Sequence, residues 1–223
     1  MGHGASLSLN TIDLPKEQEK TLALPRRRYS ILARILFFSM NLFYGNKRSL
    51  QKFKVLEVIA RVPYQAWEHV AYIAMTHTYR KRHFARKIFE FVTESRHQQD
   101  NEQWHLLILE EMTVEKGLKE NLFLHRILPQ IMAFVYFHIS WILYVIKPSL
   151  SYAMNADFED HAEHEYMEYV KEHPELENQP FESDFKNDYK DFENLADLFR
   201  QIALDERLHK EESIRHIQQA RFQ

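Results

Sequence analysis

The sequence predicts an all-α fold made of a few long helices, and three observations carry that prediction. Its 223 residues include only four glycines, a share far below the usual ~7%. Folds of many short strands and tight hairpins draw on glycine for positive φ, so they are disfavoured. Apolar residues recur at helical spacing through long stretches bounded by glycine or proline. Cysteine is absent, which excludes disulfide scaffolds, thiolate metal sites and cysteine nucleophiles. With 29 basic and 32 acidic residues the net charge is −3, so the chain carries no signal for nucleic acid as a partner. Thirteen histidines leave imidazole and carboxylate chemistry open.

Residues 1–25 are polar, carry Pro15 and Pro25, and read as a flexible N-terminal tail. Met1 to Ser6 has the form of a myristoylation signal, a short pattern with many chance matches. The tail has no apolar signal-peptide core and is too short and too acidic for a transit sequence. The expectation is a bacterial chain, or one from which a targeting segment has been removed. Residues 26–223 read as a single domain. Arg26-Arg27-Arg28 opens a short apolar run from Ile31 to Phe43 that Gly45 closes. That run is too short to cross a bilayer, and its cationic flanks suit a helix lying in a membrane interface. Helical patterns follow at 50–78 and at 84–116, the latter stopped by Gly117. An apolar segment covers 121–154, and helices follow at 155–172 and 193–221. The acidic stretch 173–192, with Pro174 and Pro180, reads as a loop. From Ile127 to Ile146 there are 20 residues without a formal charge, which hydropathy alone assigns to a transmembrane helix. A crossing would separate the two halves of the site described next, so this segment reads as partly buried in one leaflet and partly in the protein.

Glu102-Gln103-Trp104-His105 and Glu206-Arg207-Leu208-His209 are both Glu-x-x-His. On a helix each pair presents a carboxylate and an imidazole from one face. Glu94-Ser95-Arg96-His97 has the same form but sits among polar residues and reads as a solvated face. Glu57 lies inside the apolar run Val55 to Ala60, where an ionised carboxylate is costly unless paired or metal-bound. Glu159 stands alone in Asp157 to Ala162. Glu57 precedes Glu102 by 45 residues and Glu159 precedes Glu206 by 47. The order lone Glu, long gap, Glu-x-x-His thus occurs twice, joined by the apolar segment. A ferritin-like four-helix bundle with a di-iron carboxylate site needs that order. Four carboxylates offset the charge of two ferrous ions, and oxygen and imidazole donors without thiolate suit iron or manganese. The expected metal set is Glu57, Glu102, His105, Glu159, Glu206 and His209, holding two Fe ions.

At these residues the chain resembles the alternative oxidase family, and more closely its plastid terminal oxidase branch. Leu56-Glu57-Val58-Ile59-Ala60-Arg61-Val62-Pro63-Tyr64 is similar to that branch's first ligand motif, and Asn101-Glu102-Gln103-Trp104-His105-Leu106-Leu107 to its second. Glu159-Asp160-His161-Ala162-Glu163-His164-Glu165-Tyr166 resembles the third and Asp205-Glu206-Arg207-Leu208-His209 the fourth. The resemblance implies a monotopic membrane enzyme that oxidises a quinol, plastoquinol or ubiquinol, and reduces O2 to water at a non-haem di-iron centre. It further implies cyanide insensitivity, no proton pumping, a homodimer and a lipid surface as partner, in a thylakoid or bacterial cytoplasmic membrane. It makes Tyr166 the redox-active tyrosine, and puts Asn101 and Asp205 where the family orients its ligands through hydrogen bonds. Leu56, Phe158 and Ala162 fall at quinol-pocket positions. Lys52 stands where the family has an arginine linked to quinol binding, keeping the charge but losing the planar fork, and Glu165 replaces a small hydroxyl residue. Rival readings are a di-iron hydroxylase of a quinone precursor or lipid, and an iron-storing helical protein without catalysis.

Overall fold

Local chemistry sets the helix boundaries. The computed structural model describes residues 12–218, and the described residues form eight α-helices and no strand. Asp13 caps α1 (Leu14–Ala23), Ser30 caps α2 (Ile31–Tyr44) and Ser49 caps α3 (Leu50–Ala60), each accepting a backbone N–H of the first turn. Gly45, at φ 79°, ends α2 in a conformation that suits glycine. Gly117, at φ 60°, does the same just beyond α5 (Arg82–Glu115). The helix expected over 50–78 is divided at Arg61, because Pro63 has no N–H to continue the ladder and instead sits in the first turn of α4 (Val62–Thr78). A π-helical turn at Phe123–Ile127 leads into α6 (Leu128–Ile146). The apolar segment 121–154 is therefore not one element. Lys147 is extended, and Pro148 starts α7 (Pro148–Glu172) well before the expected residue 155. After the short 3-10 turn Pro174–Asn178, an irregular stretch reaches α8 (Leu195–Gln218), as the proline-bearing acidic composition predicts.

The flexible-tail expectation is corrected over residues 14–23. Three polar side chains of α1 find buried partners on α7 and α8, which periodicity of apolar residues alone does not reveal. Gln18 donates to the Met167 carbonyl at 2.9 Å and accepts from Arg200 Nε at 2.9 Å. Thr21 donates to Glu163 Oε1 at 2.7 Å, and Arg207 donates to Thr21 and to Glu17. The Met1–Ser6 pattern lies outside the described residues. Because Thr21 is fully buried, Thr21→Val leaves two charged groups short of a partner in unchanged volume. It should lower unfolding stability by about 2 kcal/mol, read as a lower urea midpoint at constant slope.

In the bundle α7 packs along α8, while α3 and α4 pack along α5. One apolar core joins Phe53 of α3 to Tyr166 and Phe199 of α7 and α8. A second joins Phe37 and Met40 of α2 to Leu56, Tyr136 and Phe158. α2 and α6 cover one side of the bundle and turn apolar side chains outward, with Phe38 67% and Phe134 66% exposed. An apolar groove of about 220 Å³ runs between them, lined by Leu36, Phe43, Val135 and Met154 among others. The segment Phe123–Ile146 is long and apolar enough to cross a membrane. Yet α6 packs on α3, α4 and α7, and α5 and α7 on either side of it in sequence contribute to one buried cluster.

Candidate metal centre

Four helices each bring one or two ligand-type side chains to the middle of the bundle. α3 supplies Glu57, α5 supplies Glu102 and His105 one turn apart, α7 supplies Glu159, and α8 supplies Glu206 and His209 one turn apart. Five of the six are 0% exposed and His209 is 6% exposed. They form two overlapping groups: Glu57, Glu102, His105 and Glu206, and Glu102, Glu159, Glu206 and His209. His105 Nδ1 lies 3.4 Å from Glu57 Oε2, 3.8 Å from Glu102 Oε2 and 3.3 Å from Glu206 Oε1. On the other side His209 Nδ1 lies 2.8 Å from Glu102 Oε1 and 3.7 Å from Glu206 Oε2. Glu102 and Glu206 thus offer one oxygen to each group. Glu57 with His105, and Glu159 with His209, each serve a single group.

The donor set fits cations and little else. Glu57 Oε2, both oxygens of Glu102 and of Glu206, Glu159 Oε2, and Nδ1 of His105 and His209 are buried without a hydrogen-bond partner. Buried polar atoms normally have one, and these face one another. Burial, reinforced by the charges of neighbouring glutamates, pushes the Glu102 and Glu159 carboxyls well above the usual range. Burial opposes charge on His105, but Asp205, Glu206 and Glu57 outweigh it and raise the imidazole. Glu102, Glu159, His105 and His209 therefore favour added positive charge. Burial opposes charge on Glu206, but His105 and His209 hold its carboxyl well below the usual range, an anion facing both groups. Two divalent ions meet that demand, and oxygen donors with one imidazole each suit iron or manganese.

The surroundings hold the ligands in place. His105 turns Nε2 to Asp205 Oδ2 at 3.3 Å. Because an ionised carboxylate only accepts, Nε2 keeps its proton in either charge state, and Nδ1 is the nitrogen that gives up a proton to present a lone pair when a cation binds. Asp205 also accepts from Asn101 Nδ2 at 3.2 Å, Tyr189 OH at 2.6 Å and Gln201 Nε2 at 2.8 Å. Burial works against its ionisation, but His105, Lys190 and Tyr189 hold its carboxyl well below the usual range. Asp205→Ala frees the imidazole to rotate or change tautomer. We expect metal affinity to fall about 10–100-fold, measured by competition with a calibrated chelator, while helix content stays unchanged.

Tyr166 is fully buried, donates to Glu57 Oε1 and stacks on Phe53 at 4.3 Å between ring centroids. Sequence reasoning did not single out its counterpart. Tyr64 is also fully buried; it donates to Glu159 Oε1 at 2.6 Å and accepts from Asn155 Nδ2 at 3.1 Å. Tyr64 follows Glu57 by seven residues as Tyr166 follows Glu159, and each tyrosine bonds to the other's glutamate. That repeated interval is the signal that could have found it. Tyr189 was missed too, and no periodic pattern in its irregular segment points to it.

The remaining sequence-predicted residues divide. Leu56, Phe158 and Ala162 pack together in the core beneath α2. Lys52 is 6% exposed, and its Nζ donates to Asn41 Oδ1 at 2.7 Å and to the Gly45 carbonyl at 3.0 Å, tying α3 to the end of α2. Glu165 pairs with Arg26 at 2.8 Å and Arg48 at 3.2 Å. Asp160, Glu163 and His164 form a third buried acidic group, but Lys210 and Arg207 already occupy it with their charges.

The alternative oxidase family matches this chain over residues 27–217. A ubiquinol oxidase 4, chloroplastic/chromoplastic, of Arabidopsis thaliana is 32% identical over 140 residues. The aligned part is 60% of this chain and 35% of that relative, so the chain spans about a third of the relative's length.

Proposed function

Because the chain belongs to the alternative oxidase family, we propose that it oxidises a membrane quinol, plastoquinol or ubiquinol, and reduces O2 to water at a di-iron centre. The observation that carries this reading is the set of orphaned oxygen and nitrogen atoms shared between two overlapping groups, with Glu102 and Glu206 common to both. Two bound irons would supply the redox equivalents for four-electron reduction of O2, drawn from two quinols in turn. Glu57 with His105 would hold one ion, Glu159 with His209 the other, and the shared glutamates would fix their spacing. Asp205 keeps His105 in the required tautomer. Tyr166, stacked on Phe53 and bonded to Glu57, is positioned to pass an electron and a proton to the centre. The apolar side chains of Leu56, Phe158 and Ala162 exclude water on the side facing α2 and are the proposed wall against which the quinol ring rests.

The outward apolar faces of α2 and α6 support a monotopic seat in one leaflet, from which a quinol tail reaches the groove between them. Cyanide insensitivity, the lack of proton pumping and a homodimer belong to the same reading. The test is oxygen uptake by purified, iron-loaded protein with a short-chain quinol. Cyanide-resistant uptake with water as the product is expected. Absence of uptake, or recovery of one oxygen atom in the organic product, would reject oxidase chemistry.

A further inference from the structure

On the face of the bundle where α5 and α8 run side by side, a cleft of about 520 Å³ opens to solvent, lined mostly by residues that carry polar or charged groups. Two stripes at helical spacing line it. α5 contributes Glu90, Glu94, His97 and Asn101, and α8 contributes Asp205, His209 and Glu212. Glu94 and His97 belong to the third Glu-x-x-His pattern, which the metal centre leaves unused. Glu90 and His97 are exposed at the mouth. The floor is His209, which is 6% exposed and whose Nδ1 has no hydrogen-bond partner and lies 2.8 Å from Glu102 Oε1 in the metal pocket. Beside it, the buried Oδ1 of Asn101 also lacks a partner.

We propose that this cleft is the path by which a hydrated divalent cation, ferrous iron in the first place, reaches the metal centre. The proposal rests on the metal-centre reading above. A dication must shed water gradually, exchanging it for oxygen and imidazole donors, because crossing an apolar wall bare costs far more than any site returns. The groove between α2 and α6 offers only such a wall. In the cleft, carboxylates, an imidazole and an amide stand at successive turns of α5 from Glu90 to Asn101, about 16 Å at 1.5 Å per residue. Their charge draws the cation in. Arg215 and His216, each 2.8 Å from Glu94 Oε1, hold that carboxylate to one side, so the attraction at the mouth falls to Glu90 and to Glu212, which accepts from Gln98 Nε2 and stands 4.0 Å from Arg215.

The experiment follows uptake of Co2+ and of Fe2+ by metal-free full-length chain in stopped flow, reading the metal absorption bands. The Glu90→Gln/Glu212→Gln double variant should load at least ~10-fold more slowly and lose most of the salt dependence of the rate. Its final metal content should equal that of the wild type, and so should quinol oxidation after full loading. Leu208 lines the cleft and is 56% exposed, and the chain has no cysteine. Leu208→Cys carrying a bulky maleimide should therefore plug the path and slow loading further. Wild-type loading rates in both proteins would overturn the proposal. So would normal loading with slowed turnover, which marks an exit for product water. A wild-type chain that binds no cation at all would overturn the metal-centre reading and this proposal with it.

Discussion

Glu102→Gln should cost the protein both metal positions as a pair. The wild-type carboxylate turns one oxygen to each group, 3.8 Å from His105 Nδ1 and 2.8 Å from His209 Nδ1. An amide of the same shape keeps one oxygen and turns an N–H donor toward the other ion. We expect at most one weakly held metal per chain by elemental analysis and a fall in quinol oxidation of about 100-fold or more. Glu57→Gln, which touches one group only, should leave the His209 side able to bind. The stability effect should have the opposite sign in the two metal states. Burial makes the Glu102 charge unfavourable without a cation, so the metal-free variant should melt no lower than metal-free wild type. The rise in Tm that ferrous ion gives the wild type should be largely lost. Two tightly bound metals in Glu102→Gln would show that the shared-glutamate assignment is wrong.

Tyr166→Phe should uncouple chemistry from structure. The ring stays stacked on Phe53 and against Phe199, so packing is kept, and the lost hydrogen bond to Glu57 costs about 1–2 kcal/mol. Metal content should remain near wild type while quinol oxidation falls at least ~10-fold, the result the proposed electron-donating role of this phenol requires. Tyr64→Phe is the internal control, since it removes the equivalent bond to Glu159 from the other side of the same pocket. If the two variants lose activity equally, Tyr166 acts by holding a carboxylate rather than by redox chemistry.

The six ligand-type residues were legible because a metal centre on helices imposes spacing. Glu-x-x-His puts both donors on one face, and a carboxylate inside Val55 to Ala60 has no inexpensive alternative to a partner. The bundle was legible for the same reason, through long apolar periodicity punctuated by Gly45, Gly117 and Pro174. Boundaries set by single residues were read less well. Pro63 divides a helix that periodicity joins, and Lys147-Pro148 ends one apolar helix and begins another without a change in composition that marks it. α1 was missed because its docking is polar: Gln18 and Thr21 are buried by hydrogen bonds to chain more than 140 residues away.

By itself the sequence determined which groups must gather and on which helices, since spacing along one chain fixes the face each side chain shares. Only the tertiary structure decided which oxygen of Glu102 and Glu206 turns to which imidazole, that Tyr64 and Tyr166 reach across to each other's glutamate, and that a cleft between α5 and α8 leads from solvent to His209. Those are relations between helices. They depend on how helices rotate and approach as they pack, and no interval within a single helix encodes that.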